Sequence, residues 1–479
     1  MVVRSLTQTV AICSLPLTAV RLPRKLSMDI WTFMWLLSTL TIGKTRIMPL
    51  TKIFEQSIYL ATFLGAGFIF GQHSFNEIRT HFLTTYPSLD IPALQISYVD
   101  YLENIQSTSA LKKQEIYFQD LAKALQAIQS KKLSKKDQID YGILVYECEL
   151  HLERIRLEKT WDPNTAVEGD KSIHHIPNGK AWYTYVLKRW VDKEVTPDSL
   201  FQFGLQEIEK VTLAMQRIQQ RSGLDPNAFQ ARLQSPESFT DDATEIQQRF
   251  EKVHTTVTQN ASRFFPYHED LIPLRIARGT NSRLAHAPAY YQNNTFFYNL
   301  FDAPFNNRQY GWIYIHEGIP GHHFQAALRE QNGQSPVQEM FWYGGLVEGW
   351  AAYIEQYGSE LGANADLYDV YGKWEWDLIR SVRVCLDIGL NYYGWTEEKA
   401  LAFWQKHIRN QDQIAHREID RMKRWPAQVI TYKYGAYIID RLKAQASPKN
   451  ESELKVFHTR LLALGDMPLS VLARYFDNL

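Results

Sequence analysis

The chain contains little cysteine and no excess charge of either sign. Three of its 479 residues are cysteines, at Cys13, Cys148 and Cys385. So few cysteines exclude a disulfide framework and a cysteine-ligated zinc cluster, and a zinc site would have to use histidines and carboxylates. The 52 basic and 52 acidic side chains cancel, which argues against a protein that binds nucleic acid.

Repeats, low-complexity tracts and long linkers are also absent from the sequence, and alternating strand patterns are scarce. Hydrophobic residues make up 45% and aromatic residues 13%, as in a globular protein with a large core. Phe118, Leu121, Leu125 and Ile128 recur at spacings of three and four, which is typical of amphipathic helices. We therefore expect residues 75–479 to form one mainly α-helical, multi-helix domain with at most a small edge β element.

Start and stop signals delimit several of the helices. Thr196 followed by Pro197 fits an N-cap and a first helical position. Gly465, with Pro468 beyond it, fits the end of the last predicted helix. The helices predicted in this way cover residues 242–260, 367–390, 397–411, 430–446 and 451–464.

The first 74 residues differ in character from the rest. They hold two apolar segments of about 15 residues, 29–43 and 57–71, each preceded by basic residues. Both are shorter than the ~20 residues that span a bilayer, and they resemble secretory leaders. We expect residues 1–74 to direct export to the periplasm or the cell exterior, with Met48 as an alternative start. A retained membrane anchor is the other interpretation.

The stretch "IYIHEGIPGHHFQ", residues 313–325, raises the possibility of a metal site through His316, Glu317, His322 and His323. Catalytic zinc needs three protein ligands, a water and a nearby carboxylate that takes the water's proton. Glu317 is the candidate for that base. An unbroken helix would turn His322 away and would place His323 roughly 10 Å along the axis from His316.

The segment "GIPG" between the histidines resolves this difficulty. Glycine and proline are unfavourable inside a helix, so we expect the chain to bulge and to return a second histidine close to His316. We favour His322 as that ligand, and His323 is the alternative. The spare histidine would then orient substrate or a ligand.

A third ligand is expected on the next helix, "GGLVEGWAAYIEQYG", residues 344–358. Glu348 and Glu355 are seven residues apart and share a helix face. Glu348 is then a metal ligand, and Glu355 accepts the free N–H of a ligand histidine. Asp387 is an alternative third ligand.

The aromatic run "NNTFFYNLF", residues 293–301, is the best strand candidate. It precedes the histidine motif, where zinc peptidases often carry an edge strand that pairs with the substrate backbone. A buried loop is the alternative interpretation.

"HEGIPGHHFQ" and "EGWAAYIE" resemble the signatures of the helical bacterial family known as domain of unknown function 885, which is regarded as a family of zinc metallopeptidases. The resemblance continues in "IRSVRVCLDIGLNYYGWT" and "EIDRMKRWPAQVITYKYG" and covers most of the chain from about residue 90. "LVEGWAAYIE" is also similar to the third-ligand helix of thimet-oligopeptidase-like enzymes. That similarity implies Glu348 and His322 as ligands.

The family motif "TYKYG" further implies Tyr432 as the donor to the developing oxyanion, since a tyrosine hydroxyl donates at neutral pH. Gln428 shares its helix face. Arg383 and Lys433 are candidates for binding a substrate carboxylate, as in a carboxypeptidase or dipeptidase. Charges that pair helices are the alternative for both.

The sequence departs from the family pattern at three positions. Asn391 stands where the family usually has His, Ala427 where it has Gly, and Met422 where it has Tyr. The metal-ligating residues are all present. The resemblance therefore implies a zinc metallopeptidase acting on peptides, and the N-terminal segments predict that it is exported. The rival hypotheses are a zinc hydrolase of a non-peptide amide and a non-catalytic helical binding protein with a vestigial metal site.

Overall fold

The computed structural model describes residues 74–266, 270–285, 287–301, 303–409 and 411–476. Helices account for 67% of these residues and strands for 4%, which confirms the mainly α-helical fold. Both predicted hydrophobic leader segments lie outside the described residues, and the domain boundary at residue 75 stays a prediction. In the part that is described, no helix is both long and apolar enough to cross a membrane.

The helices follow one another with mostly short connections. In chain order they are α1 (Phe75–Thr85), α2 (Tyr98–Glu103), α3 (Thr108–Gln126), α4 (Lys135–Glu158), α5 (Gly179–Trp190), α6 (Pro197–Arg221), α7 (Pro226–Leu233), α8 (Ala243–Ala261), α9 (Tyr310–Glu317), α10 (His322–Asn332), α11 (Gly344–Ile354), α12 (Leu367–Asn391), α13 (Glu397–His407), α14 (Asp412–Arg424), α15 (Ile430–Ala446), α16 (Glu451–Ala463) and α17 (Leu469–Tyr475).

The local signals placed most of the predicted helices correctly. Thr196 caps α6 and accepts a hydrogen bond from the backbone N–H of Ser199, and α15 has the predicted bounds. Helix α13 ends at His407, four residues early, because Ile408 already has an extended backbone with φ −124° and ψ 123°.

The strands form two small sheets. They are β1 (Phe239–Thr240), β2 (Arg275–Arg278), β3 (Ala289–Gln292), β4 (Thr295–Tyr298) and β5 (Phe305–Asn306). Strand β1 pairs with β5, and β4 lies between β2, which is parallel to it, and β3, which is antiparallel.

The run over residues 293–301 is thus a strand only in part, and the edge position expected for it was wrong. Asn293 and Asn294 have positive φ angles of 49° and 56°. Two such residues form the tight turn of a β-hairpin, which joins β3 to β4 and leaves β4 in the middle of the sheet. Strand β3 is an edge strand instead, and it contacts α9.

Two large hydrophobic clusters meet around the histidine motif. Helices α9, α10 and α11 contribute to the first cluster, whereas α12 and α14 contribute to the second. Helix α15 joins both, because Ile430 at its start packs in the second cluster and Ile438 further along packs in the first.

A glycine contact brings α11 and α15 together. A Cβ on Gly435 would lie 1.9 Å from the Gly345 carbonyl oxygen, and a Cβ on Gly349 would lie 2.5 Å from Gly435 Cα. No larger side chain fits between two backbones this close. The close approach places Glu348 of α11 next to Tyr432 of α15.

Candidate metal centre

The chain breaks between α9 and α10, as the "GIPG" segment predicts. Helix α9 ends at Glu317 and α10 begins at His322. A Cβ on Gly321 would lie 1.9 Å from the His316 carbonyl oxygen, so only glycine allows the returning chain to pack against the last turn of α9. Trp350 of α11 donates its indole N–H to the Pro320 carbonyl oxygen at 2.9 Å and holds the segment in place.

The break brings His316 and His322 together, and α11 adds Glu348. The Nε2 atoms of His316 and His322 lie 3.9 and 3.3 Å from Glu348 Oε2, and one ligand atom from each residue lies within 4.8 Å of the others. Around a tetrahedral zinc ion with bonds of about 2 Å, neighbouring ligand atoms are separated by about 3.4 Å. The donor set and its spacing therefore fit a zinc ion.

His316 is held by two further side chains. Its Nδ1 lies 2.7 Å from Glu355 Oε1, and Arg380 donates to Glu355 Oε2 at 2.6 Å. Burial raises the pKa of Glu355, but Arg380 and then His316 outweigh it, and the pKa is lowered. Because an ionised carboxylate only accepts, the ring N–H of His316 donates to it, and the Nε2 lone pair is left facing the cluster.

Burial and charge act against each other at the other two members of the cluster. Burial raises the pKa of Glu348, but the charge and hydrogen bond of His322, together with the charge of His316, outweigh it, and the pKa is lowered. For His322, burial lowers the pKa, but the charge and hydrogen bond of Glu348 raise it by more, so the pKa lies above its usual value. His322 Nδ1 is buried and has no hydrogen-bond partner in the described part of the chain, unlike Nδ1 of His316.

Glu317, the predicted base, lies at the end of α9 beside His316. Its Oε2 is buried and has no hydrogen-bond partner among the described residues. Burial raises the pKa of its carboxyl, although His316 and His322 pull it down. The carboxylate thus keeps one oxygen free to accept a proton.

The structure places His323 away from the cluster. Its Nδ1 lies 3.2 Å from the hydroxyl of Tyr291 on β3, and its side chain is 1% exposed. Burial lowers its pKa to about 4, although the Ile272 backbone partly offsets this. This ring thus ties α10 to the sheet, and the substrate contact expected for His323 stays a prediction.

Tyr432 and Gln428 lie where the sequence places them, next to the cluster. The Tyr432 ring stacks on His316 with centroids 6.2 Å apart and planes 21° apart. The Gln428 amide donates to the Tyr432 hydroxyl at 3.4 Å. Burial and then the charge of Glu348 raise the pKa of Tyr432, so its hydroxyl keeps its proton at neutral pH.

The two cations predicted to bind a carboxylate have different surroundings. Lys433 bonds Asp377 at 2.6 Å and Glu207 at 2.9 Å, as in the alternative of a charge that pairs helices, and its substrate role stays a prediction. Arg383 donates to Glu418 at 3.1 Å and lies over the Tyr432 ring, 5.4 Å from its centroid. Arg383 therefore remains next to the site.

The model of the family described as bacterial protein of unknown function (DUF885) matches residues 154–475. This range contains the cluster and every side chain that surrounds it. The chain belongs to the DUF885 family.

Two solved structures share the fold of this DUF885 chain. A protein from Colwellia psychrerythraea, described as a "putative lipoprotein", is 22% identical with a TM-score of 0.60, and the match covers 83% of this chain and 72% of that one. A "putative lipoprotein of unknown function" from Shewanella oneidensis is 17% identical with a TM-score of 0.65, covering 84% and 100%. No curated protein sequence matches the chain.

A second buried region, around Asp387, contains Asn391 and Ala427. Asp387, the alternative third ligand, accepts hydrogen bonds from the Tyr183 hydroxyl at 2.8 Å and the Ala427 N–H at 2.9 Å. It anchors a loop and does not join the cluster, so that alternative is corrected. Asn391 donates to the Met422 carbonyl oxygen at 2.9 Å in the same buried region.

Sequence reasoning missed two arginines at the site. Arg380 supports Glu355, and Arg421 donates to Gln428 Oε1 at 2.8 Å. Arg380 lies one helical turn before Arg383 in "IRSVRV", which was an available signal. Arg421 carried no such signal, because its contact depends on the turn between α14 and α15.

Proposed function

We propose that this chain is a zinc-dependent metallopeptidase that hydrolyses peptide bonds. The observation that carries the proposal is the buried set of His316, His322 and Glu348 beside an unpartnered oxygen of Glu317. Two imidazoles and a carboxylate as ligands, with a second carboxylate next to them, form the side-chain set that zinc peptidases use. The proposal includes a substrate cleft where the two hydrophobic clusters meet.

In this proposal each side chain has one task. Zinc, when bound, supplies a Lewis acid that polarises a carbonyl and makes water more acidic. Glu317 takes the proton of the attacking water and passes it to the leaving amine. The Tyr432 hydroxyl donates a hydrogen bond to the substrate oxygen as its negative charge develops. Glu355 and Arg380 keep His316 oriented.

We also propose that the protein is exported. The basic and then apolar N-terminal segments support this, as does the description of both similar structures as putative lipoproteins. A reporter enzyme that is active only outside the cytoplasm, fused after residue 90, is expected to be active. A stably expressed but silent fusion would contradict export.

The test of the activity combines metal analysis with a peptide screen. The purified protein is expected to hold stoichiometric zinc and to cleave peptides. Glu317→Gln is expected to retain the zinc and to lose turnover by about 10²- to 10⁴-fold, because an amide cannot accept the proton. Glu360→Gln, the same change at an exposed position, is the matched control.

Three outcomes would decide against the proposal in different ways. Near-normal turnover by Glu317→Gln would refute the role of Glu317 as the general base. Cleavage of non-peptide amides without cleavage of peptides would favour a zinc hydrolase of another class. Stoichiometric zinc with no hydrolysis of either substrate would favour a binding protein.

A further inference from the structure

Three arginines near the cluster share one carboxylate. Arg383 donates to Glu418 Oε2 at 3.1 Å, and Arg421 Nη1 lies 3.8 Å from the same oxygen. Arg417, on the same helix as Glu418, also interacts with it electrostatically and is repelled by Arg421. Three guanidinium groups face Glu418 and, for Arg421, also the charge of Glu348, so the positive charges outnumber these negative charges.

The two inner arginines also retain unused hydrogen-bond donors. The Nε atoms of Arg383 and Arg421 are buried and have no hydrogen-bond partner in the described part of the chain. Arg383 is 2% exposed, and a buried donor without a partner costs about 1–3 kcal/mol. Burial lowers the pKa of Arg383, Glu418 offsets part of this, and Arg421 adds to it. An anion bound between these two arginines would relieve the repulsion.

The arginines are connected to the metal cluster by direct contacts. Arg421 donates to Gln428 at 2.8 Å, and Gln428 donates to the Tyr432 hydroxyl, whose ring stacks on His316. The charge of Glu348 also acts on Arg421. The excess positive charge therefore lies beside the proposed catalytic groups.

A pocket lies along the same two helices as the arginines, although none of the three arginines lines it. This pocket, lined in part by Trp376, Ile379 and Ile414, opens between α12 and α14. Ile379 lies one helical turn before Arg383, and Ile414 one turn before Glu418. The side chain of Arg421 is 19% exposed, so a ligand can reach it from the solvent.

We infer that Arg421, together with Arg383, binds the free C-terminal carboxylate of the substrate peptide. The inference rests on the proposed peptidase function and defines its substrate class, since an enzyme that fixes the carboxyl terminus next to its metal cleaves from that end. A guanidinium group matches a carboxylate with two parallel hydrogen bonds.

The experiment uses one internally quenched peptide with a blocked N-terminus in three forms. The first has a free C-terminal carboxylate, the second a C-terminal amide, and the third a C-terminal amide with a glutamate side chain near the end. The ratio of kcat/KM for the acid to that for the amide is expected to be about 10 to 100, from the strength of charged hydrogen bonds. Arg421→Gln is expected to bring this ratio close to one, mainly through KM, and Arg421→Lys to give an intermediate ratio.

Arg424→Gln is the matched control, because Arg424 lies on the same helix and is exposed. It is expected to keep the wild-type ratio. Binding is measured separately by calorimetry with Glu317→Gln protein, where the acid is expected to bind about 10- to 100-fold more tightly than the amide. The double variant Glu317→Gln/Arg421→Gln is expected to lose that preference.

The outcomes separate this inference from the proposed function. Equal cleavage and equal binding of acid and amide by a working peptidase would overturn the inference and leave the peptidase intact. Full activity on the glutamate-bearing amide would also overturn it, since a side-chain carboxylate would then be recognised. Tight binding of the acid without cleavage of any peptide would support the carboxylate site and refute the peptidase.

Discussion

Two buried carboxylates near the cluster, Glu355 and Glu418, and two elsewhere, Asp387 and Asp466, have pKa values shifted in opposite directions. Near the cluster, burial raises the pKa of Glu355 and Glu418, yet neighbouring arginines outweigh burial and both pKa values are lowered. Away from it, burial raises the pKa of Asp387 and Asp466 to about 7. Asp387 accepts hydrogen bonds from neutral donors, and Arg329 only partly offsets the effect of burial on Asp466.

The difference shows where the fold has provided cations for buried negative charge. An ionised carboxylate inside a protein is costly unless a cation or several donors compensate it. Arg380 and Arg383 of α12 do this for Glu355 and Glu418. Glu317 is the exception near the cluster, because burial raises its pKa and one of its oxygens has no partner in the described chain. It is the carboxylate that the proposed mechanism requires to be free.

The largest expected effect separates the two adjacent histidines. His322→Ala is expected to lose zinc nearly as completely as His316→Ala, because a three-ligand site that loses one ligand loses most of its affinity. His323→Ala is the matched control and is expected to retain stoichiometric zinc, since that ring bonds Tyr291. Zinc content by atomic spectroscopy decides this. A metal-free His323→Ala with a zinc-loaded His322→Ala would reverse the assignment.

The second prediction concerns a variant that removes the charged partner of His316 and leaves all three proposed metal ligands in place. Glu355→Gln leaves His316 with a neutral partner and Arg380 without its carboxylate. Zinc affinity is expected to fall by about 10- to 100-fold, measured by competition with a chelator. Glu360→Gln, exposed and close in sequence, is the control. Unchanged affinity in Glu355→Gln would mean that this carboxylate does not orient His316.

Most of the residues in these two predictions could be recognised from local sequence patterns. His316, Glu317 and the seven-residue spacing of Glu348 and Glu355 are local patterns, and helix periodicity alone orients them. A break at "GIPG" was predictable from glycine and proline chemistry. The spatial cluster therefore followed from short segments of sequence.

The remaining parts of the site depend on how distant helices cross. The bond between Arg380 and Glu355 joins α12 to the end of α11, and Lys433 meets Glu207 across more than two hundred residues. No local period encodes such contacts, so the sequence leaves both substrate binding and helix pairing open for Lys433. The hairpin turn at Asn293 and Asn294 was different, because consecutive asparagines are a local turn signal that was overlooked.

The third prediction concerns the carboxylates away from the cluster. Because the folded pKa of Asp466, about 7, exceeds its usual value of 3.8, its contribution to stability is complete below about pH 4 and is lost as the pH rises through 7. The loss is at most about 1.4 kcal/mol per pH unit. Asp466→Asn removes this pH-dependent contribution. The difference in Tm between the variant and wild type is therefore expected to shift in favour of the variant by roughly 3 °C between pH 5 and pH 8.

Scanning fluorimetry at pH 5, 6, 7 and 8 measures this difference. Asp377→Asn is the contrasting control, because Lys373 and Lys433 hold the pKa of Asp377 below its usual range despite burial. The Tm of Asp377→Asn is expected to lie below that of wild type by a similar amount at every pH tested. A constant difference between Asp466→Asn and wild type would show that Asp466 is already ionised at pH 5.

The smallest expected effect is at Ala427, which has a left-handed backbone. Ala427 has a φ of 69° and its N–H donates to Asp387. A left-handed backbone costs a residue with a Cβ about 1–2 kcal/mol, whereas glycine loses about 0.5–1 kcal/mol more entropy on folding. Ala427→Gly is therefore expected to stabilise the protein by up to about 1 kcal/mol. Ala400→Gly, a buried position inside α13, is expected to destabilise it by about 1 kcal/mol. Chemical denaturation of both variants measures the two signs, and a loss of stability in Ala427→Gly would show that packing of the methyl group outweighs the backbone strain.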